Sequence, residues 1–134
     1  VDRDKLAATV LGDPARLREL EAIVHPLVRA ETDAFVERHR QAGAPLIVLD
    51  IPLLFEIGGM GRVDRILVVT APADVQRERV LSRPGMTEEK FDAILAKQVP
   101  DVEKRRRADF VIDTSRGMDA AREDVLRIIA ELTG

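Results

Sequence analysis

The sequence predicts an α/β domain built on a parallel sheet. Three short apolar runs, at 46–49, 65–70 and 109–113, alternate with longer stretches of helical periodicity. The runs lack the polar alternation of a half-exposed strand, so both faces of each call for burial. Strands alternating with helices are the pattern of parallel α/β architecture.

The run Leu46-Ile47-Val48-Leu49 ends at once in Asp50, and Pro52 two residues later cannot continue a central strand. In open α/β sheets, ligands gather outside the carboxyl ends of the strands. A carboxylate there is placed to hold Mg²⁺ beside a phosphate, directly or through water. It is equally placed to cap the segment that follows.

At 134 residues the chain is one domain's worth. Hydrophobic content of 46% against 34% charged argues for a folded domain rather than disorder. A net charge of −3, no Trp or Tyr and only 4 Phe leave neither a basic field nor a base-stacking surface, so no nucleic-acid partner is expected. The absence of Cys suits a cytoplasmic protein. No apolar run approaches the roughly 20 residues of a membrane span, and no leader pattern opens the chain, so no membrane partner is expected. Opening at Val1 rather than Met suggests a fragment.

From the start, Leu6, Val10 and Leu11 share a helical face that Gly12 ends. Asp13-Pro14 reads as an N-cap followed by proline at the first helical position. Leu17, Leu20, Ile23, Val24 and Leu27 continue at helical spacing. Pro26 predicts a break, giving two helices that meet near His25-Pro26. The second ends at Gly43 and Pro45. His25 is either a base or phosphate contact, or a packed residue at that junction; with no dyad partner in view, the packed reading is favoured.

After the first apolar run, Gly58-Gly59-Met60-Gly61-Arg62 reads as a connecting loop. A phosphate loop needs G-x-x-x-x-G-K-[ST], and no glycine in the chain supplies it. A helix follows Ala71-Pro72, with Arg77, Arg79 and Arg83 on it or just after it. Thr87 caps the next helix, and Pro100 separates that from a basic turn at Lys104-Arg105-Arg106-Arg107. These helices are either a lid bringing arginines to a triphosphate or a solvated face, since Glu78, Glu88, Glu89, Asp92 and Glu103 are interleaved. Residues 114–117 follow the last strand, where a nucleotide base is expected by the strand-end rule. Met118, Ala121, Val125, Ile128, Ile129 and Leu132 form the apolar stripe of a final helix.

Several pieces, in order, carry a closer likeness: Asp2-Arg3-x-x-Leu6, His25-Pro26, Asp50-Ile51-Pro52-Leu53-Leu54-Phe55-Glu56, Gln76-x-x-Arg79 with Arg83, Thr87, Gln98, and Ala108-Asp109-Phe110-Val111-Ile112-Asp113. Together they resemble the central and C-terminal part of the dephospho-CoA kinases. The resemblance implies a P-loop-kinase-like three-layer α/β/α fold with its N-terminal strands missing. It implies a partial CoA-binding helical region at 1–44, a partial nucleotide-binding core at 45–75 and 108–134, and a lid at 76–107. The implied reaction is ATP-dependent phosphorylation of the ribose 3′-hydroxyl of dephospho-CoA, with Mg²⁺.

By the same resemblance, Asp50 serves the metal, Arg79 and Arg83 the ATP phosphates, and Thr114, Arg116 and Gly117 the adenine region. Arg3, His25 and Glu56 face or support the CoA side. In the family, the glycine-rich phosphate loop and the strand carrying the catalytic base would precede Val1. No catalytic base is therefore assigned, and the chain alone is expected to be inactive. The alternatives are a non-catalytic CoA- or nucleotide-binding fragment, or another nucleotide kinase of the same fold. With the family's first strand missing from between 46–50 and 65–70, three outcomes are expected: direct pairing of those two strands, filling by another chain, or marginal stability.

Overall fold

The computed structural model describes residues 2–10 and 13–134, and at positions 3, 4, 7 and 8 the backbone alone. The chain divides into two compact units, Val1–Ile47 and Val48–Gly134. Among the described residues, no helix is long and apolar enough to cross a membrane.

The first unit is helical. Helix α1 spans Arg3–Val10 and packs on α2, Pro14–Gln41, with Val10 buried. Leu11 and Gly12, where the sequence ends the first helix, lie outside the described residues, as does the Arg3 side chain. Asp13 caps α2 as its sequence predicts, its carboxylate accepting from the backbone N–H of Ala15 at 2.9 Å and of Arg16 at 3.3 Å. The far end closes on Gly43, at φ +73°. There the Gly43 N–H reaches the Arg40 carbonyl and the Ala44 N–H reaches the His39 carbonyl, which is the Schellman arrangement.

The expected break at Pro26 does not occur. Helix α2 is continuous across it for 28 residues. Proline deletes one ladder hydrogen bond and crowds the carbonyl four residues back, a cost of about 3 kcal/mol. More than three turns remain on each side, so the flanking ladders carry the helix through.

The second unit holds the sheet. Strand β1, Leu67–Thr70, lies parallel to β2, Phe110–Asp113, with Leu67 opposite Phe110 and Thr70 opposite Asp113. A parallel pair needs a crossover, and helices α3 (Ala73–Leu81), α4 (Glu88–Leu95) and α5 (Asp101–Arg107) provide it. Helix α6, Met118–Thr133, returns over the sheet and packs on β2. The core is Val68, Ala71, Phe91, Ile112 and Ile128, of which Ile112 is the most enclosed at 2% exposed.

The strand expected at 46–49 is not formed. Residues 45–51 carry no regular structure apart from an isolated bend, and Val48 is 75% exposed. An apolar run becomes a strand only through a hydrogen-bonded neighbour. Among the described residues the sheet has two strands, β1 and β2, so direct pairing of 46–50 with β1 is not the outcome. Turns over 52–58 follow, closing with Gly58 at φ +67°. Gly59 is buried where a Cβ would stand 2.9 Å from Leu54 Cδ1, so no larger residue fits without displacing Leu54.

The three inter-strand helices are tied by polar contacts. Thr87 caps α4, its hydroxyl accepting from the Lys90 N–H at 3.3 Å. Arg77 on α3 pairs with Glu88 and Asp92 on α4, and its guanidinium lies 5.3 Å from the centre of the Phe91 ring.

Candidate functional site

The two strands end together, because the register aligns Thr70 with Asp113. Beyond those ends lies a cleft of about 270 Å³, lined by Thr70, Ala71, Gln76, Asp101, Arg105 and Asp113 among others. That is somewhat under the roughly 300–1,000 Å³ of a site enclosing a whole drug-sized ligand, so the cleft suits one moiety of a larger molecule.

Its walls are fixed by hydrogen bonds. The buried Thr70 hydroxyl donates to Asp101 Oδ1 at 2.7 Å, which joins the first turn of α5 to the end of β1. Asp101 Oδ2 lies 3.3 Å from Arg105 Nε one turn later. Gln76 Nε2 donates to the Ala71 carbonyl at 2.7 Å, holding α3 against the strand end. Asp113 accepts from the Ser115 N–H at 2.8 Å. The Ser115 hydroxyl and N–H, with Arg116 and Arg105 nearby, hold the Asp113 carboxyl below its ordinary range. The cleft is thus lined by two acidic side chains, Asp101 and Asp113, and one arginine, Arg105.

Beside the cleft, the structure brings Arg79 and Thr114 together. Arg79 Nη1 donates to Thr114 Oγ1 at 2.8 Å and Nη2 to the Thr114 carbonyl at 3.0 Å. Thr114 Oγ1 donates onward to the Thr70 carbonyl at 3.1 Å. Two of five guanidinium donors are thus occupied, leaving Arg79 capacity for a further anion. Residues Thr114–Arg116 form a single 3₁₀ turn, and Gly117 at φ +93°, ψ 170° starts α6. Arg116 lies 4.0 Å from Asp124 and remains largely exposed. Arg83 is exposed one turn beyond Arg79, with no hydrogen bond or ion pair to its guanidinium among the described residues.

The other sequence candidates lie apart from this cluster or are engaged elsewhere. His25 is exposed in the middle of α2, not at a helix junction. Asp50 is exposed, and its carboxylate has no hydrogen-bond or ion-pair partner among the described residues. Glu56 is largely covered: Oε1 accepts from Lys104 Nζ at 3.0 Å and from the Val99 N–H at 2.9 Å. Burial pushes its carboxyl up, but the bonds from Lys104 and Val99 and the lysine charge outweigh this, leaving it below its ordinary value.

Among the described residues, no three His, Cys, Asp or Glu side chains gather as a metal cluster. Thr70, Asp101, Arg105 and Asp113 did not stand out in the sequence as a site. The last residue of each buried strand, Thr70 and Asp113, was nonetheless where the strand-end rule points.

The chain matches the family model described as dephospho-CoA kinase over residues 1–120. It is 70% identical over all 134 residues to the dephospho-CoA kinase of Mesorhizobium japonicum, covering 68% of that protein. It is 54% identical, again over its whole length, to that of Brucella melitensis, covering 67%. The crystal structure of TT1252 from Thermus thermophilus superposes with a TM-score of 0.78 at 42% identity, over 99% of this chain and 68% of that one. The dephospho-CoA kinase from Campylobacter jejuni, at 22% identity and a TM-score of 0.65 over 99% of this chain and 65% of that one, shares the fold. The chain spans about two thirds of the length of the curated relatives it matches, and over that span it belongs to the dephospho-CoA kinase family.

Proposed function

We propose that this chain contributes the nucleotide cleft, the lid and part of the acceptor-binding helices of an enzyme that phosphorylates the ribose 3′-hydroxyl of dephospho-CoA with ATP. The observation that carries this reading is the end-to-end 70% identity to a dephospho-CoA kinase. The strand-end cleft, with Arg79 and Thr114 beside it, supports a nucleotide there. Phosphoryl transfer asks a protein mainly for positioning and charge. Arg79 and Arg83 supply positive charge toward the phosphates from α3 and the turn after it. Thr114, Arg116 and Gly117 border the adenine region. Arg3 and His25 serve the acceptor side, and 76–107 is the lid.

Asp50 would help hold Mg²⁺, directly or through water. When bound, the ion would offset the charge that develops on the phosphates. No residue of the chain forms G-x-x-x-x-G-K-[ST], so the 134 residues by themselves are not expected to cradle a triphosphate.

The test is a chimera in which these 134 residues replace their counterparts in the Mesorhizobium japonicum relative. With ATP, Mg²⁺ and dephospho-CoA it should form ADP and CoA, while the 134-residue chain alone should form neither. A folded chimera with no such activity, or one that prefers nucleoside monophosphates as acceptors, refutes the proposal.

A further inference from the structure

Glu56 and Lys104 are an ion pair withdrawn from solvent, with side chains only 14% and 16% exposed. They join the turn at 52–58 to helix α5, 48 positions later in the chain. Two donors converge on one carboxylate oxygen. Lys104 Nζ and the Val99 N–H both meet Glu56 Oε1, and Lys104 Nζ also reaches Gln98 Oε1 at 3.4 Å. The other carboxylate oxygen, Oε2, is buried with no hydrogen-bond partner among the described residues. Such a pair is costly to assemble, and losing one partner strands a buried charge. The ion pairs of Arg77 with Glu88 and Asp92, which join α3 to α4, are far more exposed.

The pair bears on the cleft through helix geometry. Successive residues turn about 100° around an α-helix, so Lys104 and Arg105 point in different directions. Lys104 faces the 52–58 turn, and Arg105 lines the cleft. At the start of the same helix, Asp101 is held by Thr70. The two attachments lie nearly one turn apart along a seven-residue helix and about 60° apart around its axis, so together they restrain its rotation as well as its position. One attachment would fix only position.

We propose that Glu56 and Lys104 are positioning residues: their pair locks the rotation of α5 and so sets the Arg105 guanidinium in the cleft toward the nucleotide. The inference rests on the cleft being the nucleotide side of the kinase. Neither Glu56 nor Lys104 touches the nucleotide; both act through Arg105.

The chimera tests this by kinetics, with Glu56→Gln and Lys104→Gln as parallel variants in case one folds poorly. Each should raise the KM for ATP about tenfold and leave that for dephospho-CoA within about twofold. Lys104→Arg, which keeps the charge, should restore most of the loss. Combined with Arg105→Ala, Glu56→Gln should add less than about twofold, because both act on one element. A raised KM for dephospho-CoA, full additivity with Arg105→Ala, or a lowered melting temperature with both KM values unchanged would overturn the latch. A second readout needs no activity. In the 134-residue chain, the Arg105 Nε–H resonance should move in both the Glu56 and Lys104 variants, and an unmoved resonance would sink the proposal. An inactive parent chimera would therefore count against the kinase reading, while the resonance still decides the latch.

Discussion

Replacing Thr70 by Val tests whether the strand end and helix α5 are joined as the geometry requires. The substitution preserves size and β-branching, so the packing of β1 is kept and only the hydroxyl goes. That hydroxyl is buried and donates to Asp101 Oδ1 at 2.7 Å. A hydrogen bond to a charged group contributes about 1.5–3 kcal/mol. The Asp101 side chain is 42% exposed, so water re-solvates the freed oxygen and the loss falls at the lower end, about 1.5 kcal/mol. For a unit the size of Val48–Gly134, 1 kcal/mol moves the melting temperature by about 4–8 °C. The expected drop is therefore about 6–12 °C by circular dichroism, matched by a lower urea midpoint with unchanged slope. In a double-mutant cycle with Asp101→Ala, the two losses should sum to more than the double variant shows, by about 1 kcal/mol. A change within about 0.5 kcal/mol, the range of an ordinary surface substitution, would refute the tie between β1 and α5.

Two further outcomes follow from single residues. Gly117 stands at φ +93°, ψ 170°, a conformation open essentially to glycine, yet a Cβ there meets nothing within 4 Å. Gly117→Ala should thus cost about 1–3 kcal/mol from backbone strain alone, read as a shifted urea midpoint, and a neutral result would mean that another conformation serves the start of α6 equally well. Glu103 is held at about 2, against 4.5 ordinarily, by hydrogen bonds from Arg106 and Arg107 and by their charge. A lowered carboxyl adds stability that is complete above the unfolded value and is lost as pH falls from about 4.5 through about 2. Its side-chain carbon shift should titrate near 2 and return toward 4.5 in an Arg106→Gln, Arg107→Gln double variant; a midpoint already near 4.5 in the parent would contradict the pairing. Because both arginines are exposed, the shift should shrink in high salt.

Local chemistry was legible in the residues themselves. The cap at Asp13, the stop at Gly43, the cap at Thr87 and the break at Pro100 each depend on groups a few positions apart, so a short window of sequence contains both partners. The two strands that formed, and the nucleotide-kinase likeness, were legible too, because apolar runs and motif order survive without coordinates. Pro26 misled because a proline's local cost is fixed while the helical length available to absorb it is not. The run at 46–49 misled for a related reason: apolar content records a demand for burial, but a strand exists only where another backbone lies beside it.

Tertiary structure alone brought together residues distant in the chain. Thr70 meets Asp101, Arg79 meets Thr114, and Glu56 meets Lys104 across 31, 35 and 48 positions. Nothing in spacing or periodicity announces such pairs, since a side chain's partner depends on how strands and helices stack rather than on what adjoins it in sequence. The amino-acid order by itself determined which residues could carry charge, cap a helix or enter a sheet. Only the packing decided which carboxylate would border a cleft and which would be enclosed with a lysine, because burial and register are properties of the assembled layers.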